Sequence, residues 1–299
     1  MSAGIRRVGI VAKRGLVGAA EHLSGLQHWL RERHVDIVYE TDIAAVAGGS
    51  ALAQARTRDD LPHDVDLVIV FGGDGTLLSM ATRIAQAGRD IPILGVNFGS
   101  LGFLTETRID ELYPTLESVL NGTAQFHERA MLGADACRGR EVFDSRIVLN
   151  DVVFTKAALS RMIELSVLVS GGFVTKVRAD GLIIASATGS TAYNLAAGGP
   201  IVHPDVDAFV LTPIAPHTLT NRPVVIPGSA SVEVRAHIGA HTDDIYVTYD
   251  GQSGYPLQKG DVVRVRKSDR RLRLVENPAR GYFELLREKL KWGERGGRA

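Results

Sequence analysis

The stretch Leu67–Leu78, LVIVFGGDGTLL, places a carboxylate and a hydroxyl among glycines where an apolar run ends. Phe71 closes a buried strand and Leu77 opens a helix, so Gly72, Gly73, Asp74, Gly75 and Thr76 fall in the turn between them. Glycines let the backbone approach a ligand with no Cβ in the way. Free N–H groups at a helix start suit phosphate oxygens. The turn matches neither GxxxxGK[ST] nor the GxGxxG dinucleotide pattern. A carboxylate repels bare phosphate, so Asp74 makes more sense beside a hydroxyl or a metal ion. The competing assignment is that Asp74 caps the helix starting at Leu77.

A second stretch, Asp180–Pro204, reads DGLIIASATGSTAYNLAAGGPIVHP. A short strand leads into a turn where Thr188, Ser190 and Thr191 surround one glycine. Tyr193 follows, able to stack or to donate a hydrogen bond, and a small-residue helix is expected to run to Gly198–Gly199. One such turn is equally an ordinary Ser/Thr cap. Two glycine-rich polar turns in separate domains are better explained by a ligand held between them. Two further segments lie between these turns. VNFGSLGFLTE (Val96–Glu106) carries Phe103, whose ring either packs beside a base or serves the core. In LNDVV, Asn150 and Asp151 interrupt an apolar strand. Buried amide and carboxylate groups need partners: an adenine edge and a ribose hydroxyl suit them, and so does a structural hydrogen bond.

The elements that must position these groups follow two patterns. In the first part, apolar runs at Arg6–Ala12, Asp66–Phe71 and Ile91–Val96 alternate with helical spacing. Examples of that spacing are Leu23, Leu26 and Leu30, then Leu78, Ala81, Ile84 and Ala85 with Gly88 as C-cap. This predicts an α/β domain with an open, mostly parallel sheet over residues 1–145. From about Arg146 the texture is β-rich, predicting a sandwich-like second domain over 146–275. YFELLREKLKW returns to helical spacing at Phe283, Leu286 and Leu290. Residues 276–299 are therefore expected to form a final helix packing on the first domain, with a mobile tail after Trp292.

The chain has 299 residues with balanced charge, 34 Lys+Arg against 34 Asp+Glu, which gives no global field to attract nucleic acid or an anionic membrane. One cysteine, Cys137, excludes an internal disulfide and a cysteine-based zinc finger. His203 and His217 lack HExxH spacing, which argues against a zinc site. No apolar run approaches a membrane span and no secretory leader is evident, so a cytoplasmic protein is expected.

Taken together, GGDGT, NFGSLGFLTE, LND, DGLIIASATGSTAYNLAAGGPIV and LTPIAPHTL (Leu211–Leu219) resemble the NAD kinase family over roughly Val8 to Leu290. GGDG alone is shared with lipid kinases and 6-phosphofructokinases; the combination is specific. The resemblance implies phosphoryl transfer from ATP or inorganic polyphosphate to the 2′-hydroxyl of the adenosine ribose of NAD, giving NADP. It also implies a divalent cation, expected to be Mg²⁺ with no protein ligand assigned, and assembly into homodimers or homotetramers. By position Asp74 approaches the hydroxyl and is the catalytic candidate. Gly72, Gly73, Gly75 and Thr76 take the donor's phosphates. Asp74, Gly75, Phe103, Asn150, Asp151, Asp180, Thr188, Thr191, Ala192, Tyr193 and Ala215 contact NAD. Two positions depart from the family pattern: Asp151 stands for a usual glutamate, and Ala187 for a usual proline. The alternatives are a lipid or sugar kinase sharing the glycine loop, and a dinucleotide-binding sensor without catalysis.

Overall fold

The computed structural model describes residues 4–16, 19–47, 55–99, 101–157, 162–218, 220–238, 245–278 and 280–292. The chain divides into two compact units, one of residues 1–128 with 272–299, the other of residues 129–271.

The first unit contains β1 (Arg7–Ala12), α1 (Ala19–Glu32), β2 (Asp36–Glu40), α2 (Thr41–Ala47), β3 (Ala55–Arg56) and α3 (Leu61–Asp64). These are followed by β4 (Leu67–Phe71), α4 (Asp74–Gln86), β5 (Ile93–Asn97), β6 (Thr107–Arg108) and α5 (Leu112–Leu120). Strand order is β3-β2-β1-β4-β5, with parallel pairing throughout and β6 parallel to β5. Every residue of β4 and β5 is buried, as expected of parallel strands covered on both faces. Leu23, Leu26 and Leu30 of α1 and Leu112, Leu116 and Val119 of α5 share one core with Val8, Ile10, Ile69, Phe71 and Val96. Leu61 and Leu77 press on the opposite face at Gly9 and Gly95. Strand order reverses between β1 and β4, and in such sheets the crevice beyond the carboxyl ends of those strands is where ligands bind. Lys13 follows β1 there, and the glycine turn follows β4.

The second unit holds β7 (Phe126–Arg138, its first residues still in unit one), β8 (Glu141–Val148), β9 (Asp151–Lys156), β10 (Ile163–Val169), β11 (Gly172–Ala179) and β12 (Gly181–Ser186). After α6 (Tyr193–Ala196) come β13 (Ala208–Ile214), β14 (Val224–Pro227), β15 (Val232–Ala236), β16 (Ile245–Tyr249), β17 (Ser253–Pro256) and β18 (Asp261–Val275). One sheet runs β14-β13-β12-β9-β16-β17, antiparallel at each pairing. The other runs β11-β10-β15-β18, and β7 pairs with both β18 and β8. Leu132, Val152, Phe154, Leu165, Leu182, Val234 and Val263 fill the core of this sandwich. Val153, Ile183, Ala185 and Val210 form a smaller cluster, alternating along their strands with residues of the main core. Both faces of β9, β12 and β13 are therefore buried.

The first border lies before residue 146 because β7 and β8 form a hairpin, with Leu132 opposite Val148. The basic run Arg264–Arg273 is a strand, and Arg264 and Arg266 pair with Glu233 and Asp135. β18 ends in the first unit, where Leu274 pairs in parallel with Ile93. A final helix, α7 (Tyr282–Leu290), also belongs to that unit, with Arg108 bonded to Glu288. It buries Leu285 and Leu286, whereas Phe283, expected on the packed face, is 64% exposed. The tail after Trp292 lies outside the described residues.

Candidate active site

Helix α4 begins at Asp74, three residues before the expected start at Leu77, so only Gly72 and Gly73 belong to the turn. Gly73 is the N-cap and has no side-chain cap bond. The Asp74 carboxylate is not a cap either. It reaches into the segment after β5, where Oδ2 accepts the Phe103 N–H at 2.8 Å. Oδ1 accepts the N–H groups of Leu104 and Thr105, both at 3.1 Å, and the Thr105 hydroxyl at 3.0 Å. This close approach requires Gly102, because a Cβ there would stand 2.0 Å from Oδ1. Oδ1 is saturated by three donors, while Oδ2 has one and keeps a lone pair for a ligand. Gly75 is exposed and Gly73 and Thr76 are half-buried, so solvent reaches the helix start and its unpaired first-turn amides. The Phe103 ring lies 5.7 Å from the Lys289 ammonium of α7. Its backbone, rather than its ring, ties it to Asp74.

In the second unit the LND segment is held by a residue that sequence reading passed over. Asp250 follows β16 with a positive φ of 51°, and its turn returns the chain into β17. Its carboxylate accepts the N–H groups of Leu149 (2.8 Å), Asn150 (2.7 Å) and Asp151 (3.0 Å). The Asp250 N–H in turn donates to the Asp151 carbonyl. The available signal was Asp-Gly after an alternating strand, which reads as a hairpin turn and gives no hint of the three amides. From β12, Ser186 donates to the Leu149 carbonyl and accepts the Gly189 N–H. Gly189 lies flat on this segment, where a Cβ would meet the Asn150 carbonyl at 2.1 Å.

The TGSTAY run is a 3₁₀ turn, Thr188–Thr191, followed by the single helical turn of α6 instead of a helix reaching Gly198. Ser190 bonds both the N–H and the carbonyl of Val202. Asn194 donates to the carbonyls of Ser190 and Pro200 and accepts the Thr212 hydroxyl, and Thr191 donates back to the Thr188 carbonyl. These groups hold the turn. Among the described residues, no hydrogen bond or ion pair engages the side chains of Asn150, Asp151, Thr188 or Tyr193. The first three are at most 8% exposed, while Tyr193 is 46% exposed. They share this end of β12 with Ala192.

Asp180 and Ala215 do not join them. Asp180 precedes β12 and bonds the Ile214 carbonyl through its N–H, with Lys156 at 2.8 Å from its carboxylate. Asp151 faces Ala185 at the far end of the same ladder, roughly 16 Å away at strand rise. Ala215 follows Ile214 at the Asp180 end.

Burial and the neighbouring Asp250 charge push the Asp151 carboxyl up to about 7. Burial also raises Asp250, with its three amide donors pulling the other way. Amide donors favour the anion, so within this coupled pair the proton resides on Asp151. Among the described residues no group of three or more His, Cys, Asp or Glu could hold a metal ion, and no helix is long and apolar enough to cross a membrane.

Residues 8–124 match the model of the ATP-NAD kinase N-terminal domain, and residues 149–277 that of the ATP-NAD kinase C-terminal domain. The chain belongs to the NAD kinase family. The NAD kinase of Geobacter metallireducens is 49% identical over 89% of this chain and 92% of its own. That of Geobacter sulfurreducens is 50% identical over 91% and 93%. Yeast NADH kinase in complex with NADH superposes with a TM-score of 0.84 at 24% identity, covering 98% of this chain and 90% of the other. An NAD kinase from Archaeoglobus fulgidus in complex with ATP gives 0.76 at 24% identity, covering 96% of this chain and all of the other. At that identity the structural likeness speaks to the fold: an α/β unit followed by a β-rich one. As a member of this family the chain is a kinase, and neither a lipid or sugar kinase nor a non-catalytic sensor finds support.

Proposed function

We propose that the protein transfers the terminal phosphoryl group of ATP to the 2′-hydroxyl of the adenosine ribose of NAD, giving NADP. The observation that carries this reading is the Asp74 carboxylate, held rigidly by four donors yet with Oδ2 open to one more. A ribose hydroxyl is a poor nucleophile until its proton has an acceptor. Oδ2 accepts that hydroxyl's hydrogen bond, aligns it, and takes the proton as the new O–P bond forms. An aspartate is a weak base, so fixing the hydroxyl in line contributes as much as accepting the proton. Gly73 and Gly75 offer their N–H groups to the donor's phosphates, while Gly72 and Thr76, whose N–H groups donate to the carbonyls of Val96 and Gly73, shape the turn against which those phosphates lie. Asn150, Asp151, Thr188, Thr191, Ala192 and Tyr193 hold the dinucleotide, and Phe103 lies beside the group that positions its hydroxyl. Asp180 and Ala215 stand as further NAD contacts only through the family pattern, since they lie at the opposite end of β12.

The donor set around Asp74 fits a divalent cation only if phosphate oxygens and water supply most of its ligands. Such a mixed set suits Mg²⁺, which keeps several waters. Bound in that way it would offset charge on the transferring group. Inorganic polyphosphate is the other candidate donor, and a cytoplasmic homodimer or homotetramer belongs to the same reading.

The test is to incubate purified protein with Mg²⁺, NAD and either ATP or polyphosphate, and to measure NADP. NADP formed with ATP is expected. A folded protein that makes none with either donor overturns the proposal.

A further inference from the structure

We infer that Asp151 meets the dinucleotide as a neutral acid, donating its proton in a hydrogen bond to an oxygen of a ribose, and that Asp250 keeps it in that form. The inference deepens the proposed function and rests on it, since it takes NAD as the ligand of the LND segment.

The argument begins with the imbalance between two adjacent buried carboxyl groups. Asp250, 9% exposed, is supplied with three amide donors and holds its charge. Asp151, 4% exposed, has no hydrogen bond to its side chain among the described residues. Its own N–H is one of the three donors spent on Asp250. An ionised Asp151 would be a second buried charge beside the first, with no donor and no cation to compensate it. Among the described residues, the one charged group acting on it is Asp250. β12 presents Ala185 across the ladder. The 3₁₀ turn Thr188–Thr191 carries no charged residue. β16 brings Tyr249, whose hydroxyl is turned to Tyr255 at 3.0 Å, and then Asp250 itself. None is a cation. The dinucleotide adds a diphosphate of negative charge, which disfavours an anion further. A ribose oxygen accepts a hydrogen bond from a neutral carboxyl with no charge buried.

This assignment gives binding a definite pH dependence. The neutral form is lost as pH rises through about 7, and apparent affinity scales with the fraction in the competent form.

NAD binding is measured by calorimetry, without donor, from pH 5.5 to 8.5 on the full chain. Affinity about tenfold weaker at pH 8 than at pH 6 is expected. Asp151→Asn, a permanently neutral donor of the same shape, is expected to remove the pH dependence and keep the affinity of the acidic limb. Asp250→Asn, if it folds, removes the charge that opposes ionisation of Asp151, so its affinity is expected to fall off at lower pH than that of wild type. Affinity that is flat or rises with pH in the wild type, or binding lost at every pH in Asp151→Asn, overturns the inference while leaving NAD as ligand. No NAD binding at any pH overturns the inference and the proposed function together.

Discussion

Asp74 illustrates how a single residue carries both architecture and chemistry. Its place after a buried strand and among glycines was legible as a functional signal. The partners were not, because Phe103, Leu104 and Thr105 contribute backbone amides, which any sequence could supply. An aspartate acting only as a base or a cap would tolerate asparagine with little change in melting temperature. The observed network predicts otherwise: an Asn amide facing either the Phe103 or the Leu104 N–H sets donor against donor. Asp74→Asn is therefore expected to lose about 1–3 kcal/mol of stability, read as a lower midpoint in thermal or urea unfolding. Lys13 was missed altogether, as a lysine after a strand has no distinctive spacing. Its N–H bonds the Phe71 carbonyl, which sets it beside the glycine turn. No carboxylate pairs with its ammonium among the described residues. Lys13→Met is expected to raise the KM for ATP several-fold, or about 1 kcal/mol, with the KM for NAD little changed. Steady-state kinetics with each substrate varied in turn would show this split.

At the scale of elements, periodicity succeeded where burial is one-sided or complete. Leu78, Ala81, Ile84 and Ala85 do bury one face of α4, and Gly88 follows its C-cap with φ +68°. Periodicity failed where tertiary bonds set the boundary. The helix after TGSTAY stops after one turn, where Gly198 takes φ +84°, and Asn194 ties that turn to Ser190, Pro200 and Thr212. The two-residue strand β3 carries too few residues to show a pattern. The family departure at Ala187 can be judged in the same terms. Ala187 has φ −58°, within the range proline imposes, and Ser186 before it is in a strand, as a residue preceding proline prefers. Ala187→Pro is expected to stabilise the protein by about 0.4–1 kcal/mol through the unfolded chain. Differential unfolding measurements should show a higher midpoint, and a lower one would mean that the added ring atoms overpack the Val153–Ala185–Val210 cluster.

For the whole molecule, the division into an α/β and a β-rich unit was readable from the change of texture. Its border was not, since β7 and β8 are recognised as one hairpin only by their pairing. The Asp151–Asp250 pair also acts at this scale, through folding stability. Asp151 ionises near 3.9 when unfolded and at about 7 when folded, so between those values the folded chain binds the extra proton. Its contribution is complete below about pH 4 and is lost as pH rises to about 7, with a ceiling of roughly 4 kcal/mol. Asp151→Asn is expected to remove that decline, making the variant more stable than wild type at pH 8 in urea titrations. Equal pH dependence in both would place the titrating group elsewhere.

The central claim is that Oδ2 of Asp74 orients the 2′-hydroxyl and accepts its proton. Its most direct test is the single-turnover rate of NADP formation at saturating NAD and ATP, comparing wild type with Asp74→Asn well below the variant's unfolding midpoint. A rate at least ~100-fold lower is predicted, in keeping with the contribution of a positioned general base. A folded variant that turns over within a few-fold of wild type would contradict the claim and leave Asp74 as the anchor of the 103–105 segment alone.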